Sequence, residues 1–91
     1  MADRTARELV IHGRVQGVFF RAFVRDAADR AGVAGHAENR ADGTVAVHLE
    51  GAPDAVARVE RACSSGPEGA HVERVDARDG EVEDLAGFSV S

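Results

Sequence analysis

Cysteine is almost missing from this chain of 91 residues. Cys63 stands alone, so no internal disulfide can form, and no CxxC pair or Cys/His cluster offers metal ligands. Stability has to come from packing. No apolar run approaches the ~20 residues of a membrane-spanning helix, and the charged opening MADRTA is not followed by an apolar stretch of secretory-signal length. A cytoplasmic chain with no membrane partner is therefore expected. Lysine is absent: all eleven basic residues are arginine, which goes with abundant alanine, glycine and valine and hints at a GC-rich coding sequence. Arginine number by itself thus carries little functional weight. The aromatic residues are four phenylalanines, and none lies between residues 7 and 13 or 44 and 50, the strands an RNA-binding sheet would use for stacking. Residues 1–45 carry a net charge of +1 and residues 46–91 a net −6, which argues against a broad nucleic-acid surface.

What is present fits one small domain, residues 1–91, in which folding hides about 60–65% of the surface of the unfolded chain. Residues 1–6 are expected to be a loose arm. From Arg7 to Gly13 the run RELVIHG puts Leu9 and Ile11 in one phase and Val10 in the other, a strand covered fully on one face and partly on the other. Phe20, Phe23, Val24, Ala27, Ala28 and Ala31 recur at helical spacing, with Gly32 placed to cap the end. Asp42-Gly43 then marks a hairpin between strands over His36–Arg40 and Thr44–Glu50. In the second of these, Val45, Val47 and Leu49 form the core phase and Thr44, Ala46, His48 and Glu50 the wetter one. Pro53 opens a helix reaching Ser64. Ala70–Arg78 reads as a strand whose Val72 and Val75 lie in opposite phases, so a bulge or one-ended burial is expected. Gly87–Val90 ends the order. Strand, helix, strand, strand, helix, strand describes an α+β, ferredoxin-like βαββαβ two-layer sandwich: an antiparallel sheet with a short fifth strand and two helices on one face.

That architecture hosts many functions, so the site must decide. GRVQGVFFR, Gly13 to Arg21, is too glycine-rich for a plain strand and runs from the first strand into the first helix. Such a turn aims successive backbone N–H groups, together with the positive end of the helix, at one small volume that suits an anion. Gly17 frees the backbone in the middle, and Val15, Val18 and Phe20 can anchor the loop in the core. Arg21 can turn its planar guanidinium toward two phosphate oxygens. GxxxxGK[ST] is absent, so this is not a Walker loop. On residue types alone such a turn is most often a mere connection.

GRVQGVFFR resembles the acylphosphatase signature GxVQGVxFR at every fixed position. The family's second block, an Asn shortly before a DGTV hairpin, is matched by Asn39 and by Asp42, Gly43, Thr44 and Val45, and the likeness covers essentially the whole chain. It implies hydrolysis of the carboxyl–phosphate bond of small-molecule acyl phosphates to carboxylate and inorganic phosphate, with no cofactor and no metal. It further implies that the backbone of Val15, Gln16, Gly17, Val18, Phe19 and Phe20 binds phosphate, that Arg21 holds the phosphoryl oxygens, and that Asn39 positions the attacking water. A monomer without a nucleic-acid partner is the matching expectation. The alternative is a catalytically weak phosphate- or protein-binding domain of the same fold.

One block departs from the family. Where GWVxN is usual, this chain has Gly35-His36-Ala37-Glu38-Asn39, which removes a bulky anchor from the strand that carries Asn39. His36 is read as a partly exposed strand residue, and His12, His48 and His71 as isolated residues without ligand-like partners. Phe19, Phe20 and Phe23 are read as core or loop anchors, and Cys63 as core.

Overall fold

The structure, a computed structural model, describes residues 3–91. The chain forms β1 (Thr5–Arg14), α1 (Phe20–Ala31), β2 (Ala34–Asn39), β3 (Val45–Gly51), α2 (Pro53–Ser65), β4 (His71–Asp79) and β5 (Phe88–Val90). β1 begins at Thr5, so the expected loose arm is corrected. Thr5 and Ala6 pair with Gly51 and Glu50 of β3, and Ala6 is buried. Residues 1 and 2 lie outside the described residues.

α1 ends as its sequence requires. Gly32 turns into the left-handed region at φ 71°, and the amide of Val33 closes onto the Ala28 carbonyl at 2.9 Å. A residue without a Cβ takes that turn with no steric penalty. Pro53 sits in the first turn of α2, where its missing N–H breaks no hydrogen bond.

The sheet runs β4-β1-β3-β2-β5. Leu9, Ile11, Ala37, Val45, Val47 and Leu49 pack with Val24, Ala28, Val56, Val59 and Cys63 of the helices into one core. Burial pushes the Cys63 thiol up to about 12, which leaves it protonated and unreactive at neutral pH. The phase switch in β4 is a bulge: His12 pairs with Arg74 and Gly13 with Val72, leaving Glu73 as the extra residue. Gly13 permits it. A Cβ there would stand 2.1 Å from the His71 carbonyl oxygen, and its φ is 126°.

Two expectations about the sheet need correction. First, the sheet is mixed, because β5 pairs parallel to β2. The connection from residue 80 to residue 87 leaves the end of β4 at one edge, crosses the sheet, and enters β5 at the other edge from the same end. Second, the supposedly wetter phase of β3 is dry at His48 and Glu50, which are 1% and 0% exposed. That same connection covers them. Glu50 accepts hydrogen bonds from the amides of Glu83 at 3.0 Å, Asp84 at 2.9 Å and Leu85 at 3.4 Å. Arg4 reaches its Oε2 at 3.3 Å. His48 lies between carboxylates, with Nδ1 2.5 Å from Glu8 and Nε2 2.8 Å from Glu50. Burial opposes the charge on His48, but the hydrogen bonds to Glu50 and Glu8 outweigh it and raise its pKa. Burial likewise opposes the charge on Glu50, yet His48 and the three amides hold its pKa below the usual carboxylate range.

Candidate active site

Strand direction assembles the site. β1 runs antiparallel to β3, as does β2, and β5 follows β2. The C-terminal ends of β1, β2 and β5 therefore meet at one end of the sheet. There the loop after β1, Asn39 at the end of β2 and Val90 in β5 surround a cavity of about 420 Å³, lined by Val15, Gly17, Phe19, Phe20, Arg21 and Ala22 with Asn39 and Val90.

The loop is anchored as its sequence suggests. Val15 and Phe20 are buried, and Val18 packs against the core. Gly17 at φ 75° and Phe19 at φ 62° bend the backbone twice in the left-handed region before α1 begins. For phenylalanine that conformation costs about 1–2 kcal/mol. From Gln16 to Ala22 the backbone amides donate to no acceptor among the described residues; the next amide, of Phe23, takes the Phe19 carbonyl at 3.0 Å. A run of uncommitted donors at the positive end of a helix is a ready site for an anion.

Arg21, in the first turn of α1, lines the cavity and donates through Nη1 to the backbone carbonyl of Ser91. Asn39 is exposed, and its side-chain amide has no hydrogen-bond partner among the described residues. Its backbone is well held by pairing with Val45. The structure thus brings Val15, Gly17, Phe19, Phe20, Arg21 and Asn39 around one space, whereas the side chains of Gln16 and Val18 turn away from it.

Gln16 has another use. Its Nε2 donates to the carbonyls of Arg40 at 2.8 Å and Thr44 at 3.0 Å, tying the loop to the β2–β3 turn next to Asn39. Asp42 stiffens that turn by accepting from the Thr44 hydroxyl at 2.6 Å and from its amide at 3.0 Å. The hydroxyl, then the amide, lowers the Asp42 pKa. Both sets of contacts lie directly beside Asn39 in the chain.

Phe19 corrects the reading of the three phenylalanines as core or loop anchors. Phe20 fits it, but Phe19 is 86% exposed, because its left-handed backbone turns the ring outward at the mouth of the cavity. Val90 was legible only as part of a short strand. Its place on the cavity wall follows from the parallel seating of β5, which no local pattern announces.

Residues 7–90 match the family model described as Acylphosphatase. An acylphosphatase of a Nocardioides species is 53% identical over 87 residues, covering 96% of this chain and 88% of that protein. The crystal structure of acylphosphatase from Bacillus subtilis superimposes with a TM-score of 0.92 at 32% identity, covering 96% of this chain and 98% of that one. The structure of an acylphosphatase from Coxiella burnetii gives 0.93 at 31% identity, covering 98% and 94% respectively.

Proposed function

This chain belongs to the acylphosphatase family, and on that premise we propose that it hydrolyses acyl phosphates to carboxylate and inorganic phosphate at the cavity beside α1. The observation that carries the reading is the gathering of Gly17, Phe19, Phe20, Arg21, Ala22 and Asn39 around one cavity, with the backbone amides of Gln16 to Ala22 uncommitted among the described residues. The amides and Arg21 bind the phosphoryl oxygens and offset the charge that builds there. Phosphoryl transfer depends mostly on such positioning and electrostatics. The leaving carboxylate has a conjugate acid of pKa about 4, so no general acid is needed. Asn39 orients the water through one donor and one acceptor. As the water oxygen bonds to phosphorus and the acyl–oxygen link to phosphorus breaks, its proton passes to the phosphate itself. This route requires no metal.

The reading includes a cytoplasmic monomer. For the compartment, the support is the single free thiol of Cys63, which calls for no oxidising environment.

The test is hydrolysis of benzoyl phosphate in EDTA. Folded wild type is expected to turn over, and Asn39→Ala is expected to lower kcat by about 10²-fold with KM little changed, since the water loses its orientation while the phosphate keeps its site. A folded wild type that binds phosphate without turnover would instead make this a binding domain.

Phe19 bears on the acyl side. Its exposed ring at the mouth of the cavity offers an apolar platform next to the phosphoryl site. Phe19→Ser is expected to lower kcat/KM for benzoyl phosphate by about 10-fold while changing that for acetyl phosphate by less than about 2-fold, because loss of an apolar contact is worth about 1–2 kcal/mol. Equal losses on both substrates would show that the ring acts on the loop rather than on the acyl group.

A further inference from the structure

On the open face of the sheet, away from the helices, β2 and β3 set His36 directly opposite His48. The two rings are stacked, with centroids 5.1 Å apart and planes 16° from parallel. Glu83 comes from the β4–β5 connection and brings Oε2 to 3.9 Å from His48 Nε2. One donor atom from each of these three residues lies within 4.8 Å of the others. Histidines that look isolated along the chain are thus neighbours in the fold.

His48 is also oriented as a ligand would be. Glu8 Oε2 engages Nδ1, which fixes the buried ring and directs Nε2 toward Glu50 as the nitrogen a cation would take. This carboxylate–imidazole pairing is the usual support behind a metal-bound histidine. Glu50 Oε1, 2.8 Å from the same Nε2, stands where a further ligand on a shared cation would. The backbone amides of residues 83–85 and Arg4 hold Glu50 in place. A shallow depression of about 130 Å³ lined by Glu8, His36 and His48 opens this face to solvent.

We propose that His36, His48 and Glu83, with Glu50 as the fourth ligand, bind one divalent first-row transition cation of the Zn²⁺ class. Two imidazoles with carboxylates favour such a cation over Mg²⁺ or Ca²⁺, which prefer oxygen alone. Binding replaces the Nε2 proton of His48, which leaves to solvent. His36 and Glu83 close onto the cation and Glu50 Oε1 draws back from its 2.8 Å contact with Nε2 to make room for it, while Glu8 keeps the His48 ring fixed. The cation joins β2, β3 and the β4–β5 connection, so its effect is on stability, and the phosphoryl cavity at the end of the sheet does not use it.

Metal-stripped full-length protein titrated with Zn²⁺ by calorimetry, with thermal melts alongside, tests this. One ion per chain is expected. At about a hundredfold excess of free Zn²⁺ over the dissociation constant, Tm should rise by roughly 10–20 °C. His36→Gln and Glu83→Gln, both removing groups on the open face, should each weaken binding by at least about 100-fold, and Glu8→Gln by about 10- to 100-fold. The visible absorption of bound Co²⁺ should report a four-coordinate ion in the wild type and lose that form in His36→Gln. Absence of saturable binding, or equal affinity in wild type, His36→Gln and Glu83→Gln, would overturn the site. Neither result depends on acyl phosphate turnover, so this proposal and the catalytic one can fail separately.

Discussion

Arg21→Gln is expected to lower benzoyl phosphate hydrolysis by at least about 10³-fold, to below detection in an ordinary steady-state assay. Removing a single neutral donor from a charge-stabilising pocket commonly costs about 10²–10³-fold, and removing an arginine from a phosphoryl-transfer site about 10³–10⁵-fold. Glutamine keeps a polar tip but loses both the charge and the fork that spans two oxygens. The loop amides alone would then face a phosphoryl group of double negative charge. The larger effect belongs to Arg21 rather than Asn39, because in the proposed mechanism Asn39 orients only the attacking water. Arg21 is half-buried in the first turn of α1, and its side chain's only protein hydrogen bond among the described residues goes to the Ser91 carbonyl. The fold should therefore change by less than about 0.5 kcal/mol, as urea unfolding would show. A folded variant with wild-type turnover would remove Arg21 from the mechanism.

The second large effect concerns stability. Glu50→Ala is expected to destabilise the protein by about 3–5 kcal/mol, a considerable part of the roughly 5–15 kcal/mol that holds a typical domain folded. The fully buried carboxylate accepts from three successive amides, from His48 and from Arg4. Alanine would leave all of these without their acceptor in a place water does not reach. The β4–β5 connection would lose its attachment to β3 at residues 83–85. Glu50→Gln retains one carbonyl oxygen but turns an N–H₂ group toward donors, so it should lie between wild type and alanine. Urea unfolding of the three proteins measures this. A loss below about 1 kcal/mol in Glu50→Ala would mean that the amides are satisfied by solvent.

Much of this was legible in the sequence because the relevant signals are local. The helical spacing from Phe20 to Ala31, the Asp42-Gly43 turn and the phase switch between Val72 and Val75 each report the conformation of the residues that carry them. The loop and Asn39 were legible for a different reason, through resemblance to a motif. Alternation in β3 correctly separated Val45, Val47 and Leu49 from His48 and Glu50, but it says only which residues share a face. What covers that face is decided by a connection more than thirty residues further along, which leaves no trace near His48. In the same way, a three-residue strand such as β5 carries no mark of its direction. The latch made by Gln16 and the outward ring of Phe19 depend on two left-handed residues on either side of Val18, and only Gly17 advertises its own.

The bulge at Glu73 has a consequence beyond the packing of β1. β4 is an edge of the sheet, and its free side is a row of backbone groups on which the strand of another molecule could build. An edge that is straight, flat and apolar invites such growth into aggregates. This one is interrupted by an extra residue that twists it out of register, and Glu73, Arg74, Asp76, Arg78 and Asp79 crowd it with exposed charges of both signs. An incoming strand would meet a broken ladder and would have to bury these charges. The irregularity that Gly13 permits inside the molecule thus guards the outside of the sheet against its own kind.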